Sequence, residues 1–143
     1  MTVKAILSRK GRDVLTIAPT ANLSEAVKLL AERRIGAVVV TGPDDRVAGI
    51  LSERDIVRTL AARGPAALDD NVAAVMTRKV TTCSTSDTIS SVMERMTAGK
   101  FRHLPVLEQG RLAGIVSIGD VVKHRLQEME REQSALRDYI QTA

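Results

Sequence analysis

Gly114-Ile115-Val116-Ser117-Ile118-Gly119-Asp120 repeats the pattern of an earlier stretch, Gly49-Ile50-Leu51-Ser52-Glu53-Arg54-Asp55. In both, a glycine opens an apolar run that ends in serine, and an aspartate follows three positions later. Two chemistries use this spacing. A serine at a strand end with an acid three residues on starts a helix, the hydroxyl satisfying a free amide and the carboxylate lying near the positive helix end. Aspartate is shorter than the Glu or Gln that usually closes such a box, so capping accounts for the serines better than for the aspartates. The second chemistry is a sugar grip: an ionised carboxylate accepts from two vicinal hydroxyls, a serine hydroxyl donates or accepts beside it, and exposed helix-start amides suit a phosphate.

Outward from this pair, the chain is self-similar nearly throughout. Asn22-Leu23-Ser24-Glu25-Ala26-Val27 matches Thr88-Ile89-Ser90-Ser91-Val92-Met93 at an offset of 66, while Gly49 and Asp55 match Gly114 and Asp120 at an offset of 65. The second copy therefore has a turn shorter by one, and two copies of one unit are expected. Each unit opens with an apolar lead-in, Val3 to Leu7 or Val72 to Met76. Val14 to Ile17 reads as a strand ended by Pro19, which cannot donate to a ladder. Asn22 with Glu25 signals a helix start, and Leu23, Ala26, Val27, Leu30 and Ala31 give it an apolar face. The continuous run from Ile35 to Val40 marks a strand buried on both faces. Turn residues from Thr41 to Arg46 precede a second strand from Val47 to Leu51, predicting a hairpin, and a helix from Glu53 to about Ala62 ends at Gly64-Pro65. The second unit repeats the order with strands at Val80 to Cys83, Arg102 to Leu107 and Arg111 to Val116, a helix from Ile89 to Ala98, and a helix from Asp120 onward. Residues Arg63 to Asn71 connect the units.

The last helix outruns its counterpart. Val122, Leu126, Met129, Gln133, Leu136 and Ile140 are spaced 4, 3, 4, 3, 4, which keeps a seam along about twenty residues. That seam suits packing along its own domain or pairing with a second subunit.

Composition narrows the function classes. The chain has 143 residues, 44% hydrophobic, 27% charged and 1% aromatic, so its core is aliphatic and rings for base stacking are few. No apolar run approaches the roughly 20 residues that span a bilayer, and the start lacks a signal-peptide pattern; a cytoplasmic location is expected. One cysteine, Cys83, reads as a small buried strand residue, and with two histidines it gives no metal-ligand spacing. His124 reads as an ordinary exposed helix position. The net charge of +4 is too mild to argue for nucleic acid alone. With no Cys/His pair at a plausible spacing and no Gly-rich phosphate loop, no enzymatic activity is expected.

Two units of strand-helix-strand-strand-helix, each led by an apolar segment and ended by Gly-Ile-x-Ser-x-x-Asp, resemble a tandem pair of cystathionine-β-synthase (CBS) domains from residue 3 to about 126. The resemblance implies an α/β fold of two β-α-β-β-α repeats related by a pseudo-twofold axis: repeat 1 over 1–64, repeat 2 over 71–126, and a C-terminal helix extension over 127–143. It implies two clefts for adenosine-containing ligands (AMP, ADP, ATP, NAD or S-adenosylmethionine), with no metal. Ribose contacts map onto Ser52 and Asp55 in one cleft and Ser117 and Asp120 in the other. Adenine contacts, largely through backbone, map onto Thr16, Ile17 and Ala18, and onto Thr82, Cys83 and Ser84. Phosphate contacts map onto Arg54 in the first motif and onto Lys100, Arg102 and His103 before the Leu104-Pro105-Val106 strand, where the first repeat has Gly36 and Ala37 in place of Arg102 and His103. The two clefts should therefore differ in ligand preference. The function expected is an adenylate-sensing regulatory module, assembled as a homodimer, that signals through changed association with itself or an unidentified protein partner, with nucleic acid unlikely and no membrane. The alternative is a nucleic-acid-binding or protein-interaction adaptor.

Overall fold

The structure is a computed structural model and describes residues 1–142; residue 143, the last of the expected extension, lies outside the described residues. It holds two three-stranded sheets. The chain divides into two compact units: one of residues 13–81 with 107–113, carrying the first motif, and one of residues 1–12, 82–106 and 114–142, carrying the second.

In the first-motif unit, β1 (Thr16–Ile17) lies parallel to β2 (Ala37–Thr41), and β2 lies antiparallel to β3 (Val47–Ser52). The expected hairpin is present, with Val40 opposite Gly49 and a register shift after Val40. Residues 37–40 are all buried, as their unbroken apolar run requires. β1 is two residues long where four were expected: it pairs on one side only and Pro19 stops it. α2 (Leu23–Arg33) begins as expected, with the Asn22 side chain accepting from the Glu25 amide at 2.9 Å, and it buries Leu23, Ala26 and Leu30; Ala31, at the edge of that stripe, is exposed. α3 (Glu53–Arg63) follows β3 directly. Leu23, Ala26, Leu30, Val38, Val40, Leu51, Ile56, Val72 and Met76 form the buried core.

The second repeat mirrors this order with β4 (Cys83–Ser84), α5 (Ile89–Gly99), β5 (His103–Glu108), β6 (Arg111–Ser117) and α6 (Ile118–Thr142). β4 is shorter and later than the expected Val80 to Cys83, because the Ser84 amide is fixed by the Asp87 carboxylate at 2.8 Å. Cys83 is buried on its strand, as expected. His124 is not exposed: it is 5% accessible, on the same face of α6 as the fully buried Val121. Its Nδ1 lies 2.9 Å from the Asp120 carbonyl, and its Nε2 has no partner among the described residues.

The lead-in segments are exchanged between the sequence repeats. The first, α1 (Val3–Lys10), belongs to the second-motif unit, while the second, α4 (Val72–Val75), belongs to the first-motif unit. Both dock by the same three backbone bonds. Val3 and Lys4 donate to Asp87 and Thr85, and Ile89 donates to Met1; in the other unit Val72 and Ala73 donate to Ala21 and Pro19, and Leu23 donates to Asp70. The motif glycines are their seats. A Cβ on Gly114 would lie 2.7 Å from Leu7 Cδ2, and one on Gly49 would lie 2.7 Å from both Met76 Sδ and the Thr77 carbonyl oxygen.

Candidate functional site

Each Ser-x-x-Asp motif sits where a strand turns into a helix, with the serine as the cap. The Ser52 amide donates to Asp55 Oδ2 at 2.9 Å and the Asp55 amide to Ser52 Oγ at 3.3 Å. The Ser117 amide donates to Asp120 Oδ2 at 2.9 Å and the Asp120 amide to Ser117 Oγ at 3.1 Å. Both boxes are closed by aspartate, so the expectation that capping explains the serines better than the acids is corrected. With the serine backbone extended, the carboxylate folds back one turn and needs no longer side chain.

What each box leaves over differs. Asp55 is 9% accessible; its Oδ2 also accepts from the Ser52 hydroxyl at 3.1 Å and its Oδ1 from the Thr77 hydroxyl at 3.1 Å. The first motif is therefore closed on itself. Asp120 is more open, its side chain 25% accessible. Lys10 Nζ donates to the same Oδ2 at 2.7 Å and to the Ile115 carbonyl at 3.0 Å, and Oδ1 carries no hydrogen bond among the described residues. Burial pushes the Asp120 carboxyl up, but the hydrogen bonds from Lys10 and the Ser117 amide, with the Lys10 charge, outweigh it and hold the group below its ordinary value. The second motif thus offers an ionised carboxylate with one free oxygen and a serine hydroxyl whose proton is uncommitted.

The helix starts are tied to the strands in the same way: the Glu53 amide donates to the Gly36 carbonyl at 3.0 Å, and the Ile118 amide to the Arg102 carbonyl at 2.8 Å. The structure thereby makes Arg102 the counterpart of Gly36. Arg102 is exposed beside the second motif; its neighbour His103 is partly buried at the start of β5. Lys100, exposed, ends α5 in the left-handed region with φ 58°. Arg54 is exposed on the first turn of α3, next to the acidic Glu53.

Of the expected adenine contacts, Thr16 and Ala18 are exposed and Ile17 is half-buried, beside Val40 in the parallel register. The Thr82 carbonyl accepts from Arg95 at 3.1 Å, and Ser84 holds Asp87 through its amide and Ser86 through its hydroxyl. The Cys83 thiol is pushed up to about 11 by burial and by Asp87, against the opposing charge of Arg95. It is a neutral wall, not a nucleophile. Sequence reasoning missed Lys10, at the end of α1, and Thr77, just past the second lead-in, which reach the two aspartates. The echo between the lead-ins signalled their kinship, but only the exchange places them at the motifs.

The fold is a pair of repeats, each closing on a strand-to-helix Ser-x-x-Asp motif. The chain belongs to the CBS domain family, which matches residues 3–62 and 72–127. It is 31% identical over 148 residues to the mitochondrial CBS domain-containing protein CBSX3 of Arabidopsis thaliana, covering 98% of this chain and 72% of that protein. It spans only 23% of CBSCBSPB1 from the same plant. Among solved structures, the CBS-domain containing protein ATU1752 of Agrobacterium tumefaciens is 51% identical with a TM-score of 0.84, covering 87% of this chain and 99% of that one. The CBS domain pair of MJ0100, solved with 5-methylthioadenosine and S-adenosyl-L-methionine, shares the fold at a TM-score of 0.79 and 23% identity, covering 90% of this chain and 98% of that one. Among the described residues no helix is long and apolar enough to cross a membrane.

Proposed function

We infer that this protein is a cytoplasmic regulatory module that binds an adenosine-containing ligand and signals by changing its association with itself or with a protein partner, without catalysing a reaction. The observation that carries the reading is Asp120 Oδ1 beside the Ser117 hydroxyl, the oxygen without a hydrogen bond and the hydroxyl without an acceptor among the described residues, a donor-acceptor set that matches a ribose diol. Lys10, on Asp120, and Arg102, whose carbonyl accepts from the Ile118 amide, supply positive charge at the start of α6, where helix amides favour phosphate, and Lys100 precedes Arg102 by two residues. The adenosine ligands of MJ0100 support the ligand class. The first motif, with its carboxylate engaged on both oxygens, is the weaker site, and AMP, ADP, ATP, NAD and S-adenosylmethionine compete for the second. A ligand conveys a signal here only through unequal affinity for two states of assembly.

The test is calorimetric titration of the purified protein with those five ligands, after mass spectrometry of any small molecule released on denaturation. Asp120→Ala removes charge-assisted hydrogen bonds of roughly 1.5 to 3 kcal/mol each and should weaken the tightest ligand by about ten-fold to more than a hundred-fold. Asp55→Ala should leave that affinity within about two-fold, less than 0.5 kcal/mol. Unchanged affinity in Asp120→Ala removes the ribose assignment.

A further inference from the structure

The geometry points to α6 as one strand of a parallel, in-register coiled coil between two copies of this chain. The inference deepens the self-association just proposed, and rests on that reading only for its link to nucleotide.

α6 packs on its own unit through Val121 and His124, both buried, with Gln127 and Glu128 half-buried on the same side. The seam lies on another face. Val122, Leu126, Met129, Leu136 and Ile140 are 41%, 55%, 46%, 59% and 65% accessible, and every described residue from 129 to 142 is exposed. A helical stretch of this length is marginal in water unless an apolar face is covered. With apolar residues at the alternating 4 and 3 spacing of a two-stranded seam, a second helix of the same kind covers it.

The flanking charges identify that helix as a second copy and set its direction. If Leu126, Gln133 and Ile140 take the first core position of each heptad and Val122, Met129 and Leu136 the second, the flanks are Arg125 and Glu132 on one side and Lys123, Glu130 and Arg137 on the other. In a parallel in-register pair a flank residue meets the opposite flank of its partner five positions on. Arg125 then faces Glu130 of the second copy and Glu132 faces Arg137, opposite charges in each case and twice over by symmetry. In the antiparallel pairing of the same seam, centred on residue 131, Lys123 would face Arg137, Glu130 would face Glu130 and Glu132 would face Glu132, all like charges. Gln133 adds a second discriminator. In the parallel pair it meets its own amide across the seam, the use to which a lone polar core residue is put in fixing register, whereas the antiparallel pair sets it against Met129. Arg125 is already drawn along the flank, paired with Glu128 and 3.9 Å from Glu132.

The experiment is oxidative cross-linking of the full chain carrying Leu126→Cys or Ile140→Cys, with the parent chain, whose Cys83 is buried, as control. Parallel pairing places each introduced thiol opposite its twin within disulfide reach, and both variants should run as covalent dimers. An antiparallel pair would hold the two thiols at position 140 ~27 Å apart. Leu126→Asp with Leu136→Asp, both exposed and so compatible with an unchanged circular dichroism spectrum, should weaken the dimer seen by light scattering at least a hundred-fold. Failure of both thiols to cross-link, or a dimer indifferent to the two aspartates, overturns the proposal. AMP titrated into the same samples separates the readings: cross-linking without AMP binding keeps the coiled coil and removes AMP as its ligand, while AMP binding without cross-linking removes the coiled coil alone.

Discussion

Lys10 Nζ and Asp120 Oδ2 meet at 2.7 Å across 110 positions of chain, so a residue of the first lead-in completes the second motif. In the other unit Thr77, just past the second lead-in, meets Asp55 at 3.1 Å. The two aspartates thus share a device but not a chemistry: one is held by a charge, the other by a hydroxyl.

The charged version is pH-dependent. The Asp120 carboxyl lies below its ordinary value in the folded chain, so its contribution is fully present above the unfolded carboxylate pKa of about 4 and is lost as pH falls through the lower folded value. Lys10→Met should lower stability by about 0.5 to 1 kcal/mol at neutral pH, since the pair is partly solvated. That deficit should shrink below about pH 4, as read from melting temperature across an acid series. A constant deficit would mean that packing by the lysine stem, and not the ion pair, carries the effect.

The hydroxyl version is a stability element. Asp55→Asn leaves a buried cap short of one acceptor and should cost about 1 to 3 kcal/mol in urea unfolding, and Thr77→Val about 1 kcal/mol. The double variant should cost less than the sum, because both changes break the same bond.

The two motif glycines should differ in tolerance. Alanine at 114 meets the mobile end of Leu7, but alanine at 49 meets the Thr77 backbone oxygen as well as Met76. Overpacking costs roughly 1 to 3 kcal/mol. Gly49→Ala should fall at the upper end and Gly114→Ala at the lower, and equal midpoints in denaturant would contradict the seat described for α4.

Arg34 and Lys100 end α2 and α5 in the left-handed region, with φ 54° and 58°, where glycine is the favoured residue. Arg34→Gly and Lys100→Gly should each stabilise by up to about 1 kcal/mol. Only Lys100→Gly should also weaken a phosphate-bearing ligand, while leaving adenosine unaffected; equal loss for both ligands would take Lys100 out of the phosphate role.

What was legible in the sequence is what local rules control. The buried run at 37–40, the Asn22 cap and the hairpin closing on Gly49 follow from period, capping chemistry and turn residues acting over a few positions. The repeat made the second unit readable from the first. His124 was misread because helix periodicity gives the spacing of a face and not its partner: the residue shares the Val121 side of α6, which is covered. The openness of one motif and the closure of the other depend on Lys10 and Thr77, far away in sequence for Asp120 and reached only through the exchange of lead-ins. No local pattern encodes that exchange, although the motif glycines carry its steric trace.

The exchanged lead-ins also set the timetable of folding. α1 precedes its seat at Gly114 and its ion-pair partner Asp120 by about 110 positions of chain, so neither exists when α1 is made. The sheet of the first-motif unit and the backbone bonds that dock α4 lie within residues 13–81, although the unit also takes in 107–113, so this part can close early. The second-motif unit waits, with α1 unpartnered, until the segments from Thr82 to α6 have been made. High sequence separation of that kind slows folding. The inherited unit of this protein is therefore the repeat, whereas the cooperative unit is a repeat with its neighbour's first helix, and cutting the chain between the repeats would leave each piece holding the other's lid.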